Sequence, residues 1–273
     1  MRLGGVMKKS FLVISLFSIF LFFSCEKEAA HRLEIDAESV KALFNKKISI
    51  EPMDDVKISG NKITLSPHSE GTTYTISGYF DGQITVNTKN TILKLKDAYL
   101  ENSSGKEAVV AKAKTEISTG KDSTNYIVSR GRGFSKKAAL EAKRTLVFGG
   151  SGTLFVKGSV CHAVEAEDVK IKGSGVFYFE GTKRGSALTC QSLEVEKDKN
   201  FSAFFLNSKN GIKADQSILI NSGNFHVYSN KFAFKTDTKD NAPKKTHSIE
   251  LLGGFFDLAE NESDFLTDEL IRN

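Results

Sequence analysis

Four stretches decide how this chain reads: Ala139-Leu-Glu-Ala-Lys143, Ala163-Val-Glu-Ala-Glu167, Ala187-Leu-Thr-Cys-Gln191 and Gly211-Ile-Lys-Ala-Asp215. Their first residues follow one another at intervals of 24. Phe232-Ala-Phe-Lys-Thr-Asp237 is a looser copy. A second short strand follows each of them: Leu146-Val-Phe148, Val169-Lys-Ile171, Leu193-Glu-Val195, Ile218-Leu-Ile220 and Ile249-Glu-Leu251. A third completes the unit: Thr153-Leu-Phe-Val156, Val176-Phe-Tyr-Phe179, Asn200-Phe-Ser-Ala203, Asn224-Phe-His-Val227 and Phe255-Phe-Asp-Leu258. Period-2 alternation bounded by Gly, Asn and Asp indicates strands.

Three short strands recurring in the same order describe one coil of a parallel β-helix. Such a unit cannot bury its inner face alone, and stacked neighbours bury it jointly. A β-sandwich would not explain the constant order and spacing. The expected fold is therefore an all-β solenoid over 48–273. The upstream strands Lys62-Ile-Thr-Leu65, Thr73-Tyr-Thr-Ile76, Gln83-Ile-Thr-Val86 and Thr91-Ile-Leu-Lys-Leu95 belong to it. The segments 121–136 and 239–246 should leave as loops. Residues 25–47 read as a tether ending in a short amphipathic helical cap through Val40, Leu43 and Phe44.

The repeat also predicts which way side chains point. In the third strand the columns Leu154, Phe177, Phe201, Phe225, Phe256 and Val156, Phe179, Ala203, Val227, Leu258 should face the core. Between them Phe155, Tyr178, Ser202, His226 and Asp257 should face out. One step beyond lie Lys157, Glu180, Phe204 and Tyr228, on the same outward parity. Sugar rings present apolar C–H faces that stack on aromatic rings, so Phe155, Tyr178, Phe204 and Tyr228 form a candidate carbohydrate platform, with His226 beside it. The bland alternative is that these rings lie under a loop or under the N-terminal cap.

Cys190 occupies the column of Ala142, Ala166 and Ala214 and should be a small buried residue. Cys161 is five residues off in register, about 16 Å of extended chain. A disulfide needs Cα atoms within about 7 Å, so no bridge is expected in the stack. At the turn after the first strand stand Lys143, Glu167, Gln191, Asp215 and Asp237. Asp215 and Asp237 would be neighbours, about 4.8 Å apart, and are the candidate metal ligands, with calcium as the candidate ion. Arg130-Gly-Arg132, Lys136-Lys137, Lys143-Arg144 and Lys183-Arg184 could together make a basic patch for acidic sugars.

The N-terminus sets the compartment. Met7-Lys8-Lys9 is a positive leader, and Met7 is a second candidate start. Phe11 to Ser24 is an uncharged run of 14 residues. That is short of the roughly 20 a spanning helix needs, but it fits a signal-peptide core. It ends in Leu21-Phe-Phe-Ser-Cys25, which resembles the bacterial lipobox. Residues 1–24 are therefore expected to be a lipoprotein signal peptide. Cys25 is expected to be the lipidated residue of an exported, membrane-anchored lipoprotein facing the periplasm or the cell surface. Arg2, Lys8 and Lys9 carry 3 of the formal +5, which leaves +2 for the mature chain. That balance gives little support for nucleic-acid binding.

A family resemblance becomes visible in Thr73-Tyr-Thr-Ile-Ser-Gly-Tyr-Phe-Asp-Gly-Gln-Ile-Thr-Val86. Leu93-Lys-Leu-Lys-Asp-Ala98 and Gly149-Gly-Ser-Gly-Thr-Leu-Phe-Val-Lys-Gly158 carry it further. This order of segments is similar to a family of bacterial exported carbohydrate-binding domain proteins and covers roughly 47–258. The resemblance implies a right-handed parallel β-helix like that of pectate lyases. It implies binding of plant-type or acidic polysaccharide, with calcium in characterised relatives. The family tends to carry Asp-rich turns, which this chain lacks.

Two other function classes compete with polysaccharide binding by a monomer. A β-helical lyase would need a group to neutralise a uronate carboxylate and a base to take the α-proton, and no compact acidic cluster with a paired Arg or Lys is visible. A structural or adhesive surface protein would bind a protein partner instead.

Overall fold

The computed structural model describes residues 40–131, 137–236, 247–259 and 261–272. The leader 1–24, Cys25 and most of the tether lie outside them, as do Arg132, Lys136 and Asp237. Every regular element named among the described residues is a β-strand.

Residues one repeat apart are hydrogen-bonded neighbours. Leu140, Glu141 and Ala142 stand beside Val164, Glu165 and Ala166 in parallel register. Leu188 and Thr189 continue from Val164 and Glu165, and Cys190 lies beside Ala214. The backbone amide of Ala139 donates to the carbonyl of Ala163, and that of Val164 to Ala187. Period-2 alternation then decides burial. Leu154, Val156, Phe177, Phe179, Phe225 and Val227 are fully buried, whereas Phe155, Tyr178 and His226 between them are half-exposed. Cys161 and Cys190 are both buried, and no disulfide joins them. Burial pushes the Cys190 thiol far up, so it behaves as a small apolar residue of the core.

Two expectations about the architecture are corrected. The sheet is not an open solenoid, because nine of its strands close a ring of parallel pairings. The ring runs from Thr91–Asn102 through Thr124–Ser129, Thr153–Gly158 and Val176–Glu180 to Ser202–Ile220. It returns through Leu188–Val195, Asp168–Ile171, Leu146–Gly150 and Thr115–Thr119 to Thr91–Asn102. Closure follows from the two long strands. Thr91–Asn102 has 12 residues and Ser202–Ile220 has 19, so each passes a corner and pairs on both sides of it. The 24-residue period shows where neighbours lie, but not that a strand stays continuous through a corner. The fold is accordingly an all-β closed parallel barrel.

Of the expected helical cap, the part before Val40 lies outside the described residues, and the described part does not continue as a helix past Lys41. Val40 to Phe44 make one turn, closed by Leu43 N–H on the Val40 carbonyl at 2.9 Å and Phe44 N–H on Lys41 at 3.0 Å. The chain is then captured by the sheet, since Tyr79 N–H donates to Lys46 O and Ile48 N–H to Tyr79 O. A helix is not prolonged where the residues that follow have sheet partners. The N-terminal edge is closed instead by antiparallel strands, Ser49–Glu51 on Thr73–Asp81 and Val56–Ser59 on Lys62–Leu65.

One register is shifted by two. Ala203, not Phe201, stands beside Phe177, and Phe204 stands beside Tyr178. The turn before this strand carries Asp198 with φ at 55° and takes up the extra residues. A slip of two preserves face, so Phe201 stays buried, edge-on to Phe225 at 5.6 Å.

Candidate functional site

The expected platform residues mostly assemble, but not as a platform. Phe155 stacks on Tyr178 at 4.4 Å, Tyr178 on Phe204 at 4.6 Å, and Phe204 on His226 at 4.4 Å, all within 11° of parallel. The column continues backward through Tyr126, Tyr99 and Tyr79. Tyr228 is not part of it. It stands beside Leu206 and Ala259, and its hydroxyl donates to Asp257 Oδ2 at 2.5 Å. Stacking consumes both faces of Phe155, Tyr178 and Phe204, so the ladder offers ring edges. A sugar needs a ring face. The first half of the ladder is also covered, because Phe44 packs on Tyr99 at 5.4 Å and on Tyr126 at 5.6 Å. Burial pushes the Tyr99 hydroxyl up to about 12. The polar groups expected beside the ladder are engaged with each other, Lys157 Nζ with Glu180 Oε1 at 3.2 Å.

Beside this covered half lies a buried charge network. Glu101 is fully buried and is held by Lys41 Nζ and Arg130 Nε, each at 2.6 Å, and by the Tyr79 hydroxyl at 2.5 Å. Arg130 therefore ties down the barrel rather than presenting a basic patch. Most of the other expected basic groups are also ion-paired. Lys137 meets Glu107 at 2.6 Å, Lys143 meets Glu141, and Arg144 meets Glu167 at 3.2 Å.

The convergent site lies elsewhere. An open groove of about 270 Å³ is lined by His162, Arg184, Ser186, Lys209, Asn210, Lys213, Lys231, Phe232 and Lys235, and among the described residues no acidic side chain lines it. Its residues come from corners that successive repeats stack on one another. Lys213 pairs in register with Lys235, and Asn210 with Phe232. The Lys231 and Lys235 ammonium groups lie 5.3 and 5.8 Å from the centre of the half-buried Phe232 ring. Lys213 Nζ also reaches Asp215 Oδ1 at 2.8 Å. At the groove wall the backbone amide of Ser186 donates to His162 Nδ1 at 2.9 Å. This bond makes Nδ1 an acceptor and leaves the ring proton on Nε2. Burial holds the His162 imidazole below its usual range, with the nearby Lys213 acting in the same direction.

Of the expected basic residues that are described, only Arg184 lines this groove. Lys213 and Lys235 were legible in the repeat itself. The third position of successive copies reads Glu141, Glu165, Thr189, Lys213, Lys235, and the structure places these side by side. Reading that column for charge finds the groove. Asp215, expected as a metal ligand, is held by Lys213, and Asp237 is outside the described residues. Among the described residues no three His, Cys, Asp or Glu side chains gather as a metal site.

Comparison with known proteins adds two matches. A family model described as "Carbohydrate-binding domain-containing protein" matches residues 59–185. A solved structure described as "Structure of the polysaccharide lyase-like protein from C. thermocellum, Gadolinium derivative" superposes with a TM-score of 0.61. The match covers 84% of this chain and 94% of that one at 18% sequence identity, so the likeness is one of fold. No curated protein matches.

Proposed function

We propose that this chain is an exported, lipid-anchored protein that binds an acidic polysaccharide without cleaving it. The carrying observation is the groove where Arg184, Lys209, Lys213, Lys231 and Lys235 converge around Phe232, with no acidic side chain among its described lining residues. Cations held together by the fold are an anion site prepared in advance of the ligand. The match of residues 59–185 to a carbohydrate-binding family model supports a sugar as the carrier of that charge. The anchor rests on the apolar run Phe11–Ser24 followed by Cys25. Calcium, if it bound at Asp215, would compete with the Lys213 ammonium for the carboxylate.

A lyase reading is favoured by the description of the structural neighbour. The geometry at His162 favours binding instead. β-Elimination needs a base at the sugar α-proton. The imidazole of His162 points its lone pair at Ser186 and carries its proton on Nε2, so it acts as a donor. The test is affinity electrophoresis and calorimetry with polygalacturonate and with a neutral glucan, followed by a search for unsaturated product. Retention by polygalacturonate alone, with no new ultraviolet absorbance from unsaturated ends, is expected. Equal retention by the neutral glucan contradicts the charge reading, and accumulating unsaturated ends contradict the binding-only reading. For the anchor, Cys25→Ser should move the chain from the detergent phase to the aqueous phase on phase partition.

A further inference from the structure

We infer that the cationic groove reads a free ring hydroxyl beside the anionic group, with Asn210 as acceptor and His162 as donor, so that its ligand is a polyuronate with unsubstituted hydroxyls. This rests on the acidic-polysaccharide reading above and adds to it a requirement that charge alone does not make.

The starting observation is an unmatched atom. Asn210 lines the groove and is only 6% exposed. Its amide Nδ2 donates to Ser186 Oγ at 3.1 Å, and its backbone carbonyl accepts from Ser208 Oγ and from the amide of Ala187. Its side-chain carbonyl Oδ1 is the one buried side-chain oxygen or nitrogen without a hydrogen-bond partner among the described residues. Folded proteins match nearly all such groups, and an exception calls for an explanation. Oδ1 can only accept, so whatever satisfies it must donate. A carboxylate cannot donate, and an ionised polyanion without hydroxyls offers nothing to this atom.

The neighbours suit a sugar. Asn210 stands in register with Phe232, which places the acceptor next to the one aromatic ring of the groove. Lys209 and Lys231 on either side are exposed, flexible stems that can yield to a ring entering between them. Ser186 bridges the two readers, because its hydroxyl accepts from Asn210 and its amide donates to His162 Nδ1. The proton left on His162 Nε2 is a donor for a carboxylate or hydroxyl oxygen. A uronate unit brings both halves together, an anionic acceptor for the cations and His162 and a hydroxyl donor for Asn210.

The test uses the full chain and three probes of matched charge and length: polygalacturonate, its O-acetylated form, and polyacrylate. The free-hydroxyl form is expected to bind about tenfold more tightly than either of the others. Asn210→Leu is expected to shrink that preference below about twofold. Equal affinity of the unaltered chain for the acetylated and free forms overturns the inference while leaving the charge reading standing. Because this comparison needs no variant, a folding defect in Asn210→Leu does not protect it. Failure of all three probes to bind at low salt overturns the polysaccharide reading and this inference with it.

Discussion

One outward column of the barrel begins acidic and ends basic, and its two ends have different fates. At the acidic end Glu141 is buried and is held by Lys143 and Lys137, while Lys137 also holds Glu107. The carboxylates there are matched by lysines of the same chain. At the basic end Lys213 and Lys235 line a groove with no carboxylate among its described lining residues, while Lys213 also meets Asp215 at 2.8 Å. The same backbone positions therefore serve internal cohesion at one end and leave a field for a ligand at the other. A charge run says little until its surroundings are known; here the cationic lining of the groove distinguishes a candidate site from the ion cluster at the other end.

The sharpest way to break this comparison is to reverse charge at the basic end and neutralise it at the acidic end. Lys213→Glu with Lys235→Glu should weaken polygalacturonate binding by about a hundredfold at low salt, measured by calorimetry, with the melting temperature little changed. Glu165→Gln at the other end should leave affinity within about twofold. A gain in affinity for Glu165→Gln, in proportion to its change in charge, would show that net charge, rather than the groove, drives binding.

A second contrast sets the aromatic ladder against the inner aromatic core. Phe179 is fully buried, so Phe179→Ala should cost about 3–5 kcal/mol of stability by denaturant unfolding. Tyr178, stacked on Phe155 and Phe204 but half-exposed, should cost less, about 1–2 kcal/mol. Tyr178→Ala should leave polysaccharide affinity unchanged, because the ring faces are already occupied. A large affinity loss would restore the ladder as the sugar platform.

The smallest effect concerns pH. Burial holds His162 below its ordinary value of 6.5, so the unfolded chain binds the proton more readily than the folded one. Stability from this group is complete above about pH 6.5 and declines as pH falls below it. His162→Gln should remove part of that acid-side decline in melting temperature, and an unchanged pH profile would contradict it.

Much of the fold is legible in the sequence because a period-2 pattern repeated every 24 residues dictates both neighbours and faces. The column Ala142, Ala166, Cys190, Ala214 and the buried rings of Phe177, Phe179 and Phe225 follow from that alone. Three features do not. Whether a strand turns a corner unbroken, as Ser202–Ile220 does and so closes the barrel, depends on backbone continuity that residue type does not encode. The spacing of Val40, Leu43 and Phe44 suggests a helix through Phe44, but past Lys41 the chain turns and the sheet takes up Lys46 and Ile48. The ladder was seen as separate outward aromatics. Their stacking at 4.4–4.8 Å is set by the spacing of neighbouring strands and turns ring faces into hidden surface. The site was half-visible. Lys213 and Lys235 stood in the aligned copies, whereas Asn210 and His162 gain meaning only from the atoms they meet.

The account turns on where a polyuronate touches the chain, and lysine footprinting measures that directly. Acetylation of surface lysines, with and without polygalacturonate, is read out by mass spectrometry. Protection should concentrate at Lys209, Lys213, Lys231 and Lys235 and spare Lys143 and Lys170. Protection spread evenly over the lysines, or confined to those outside the groove, would contradict the account.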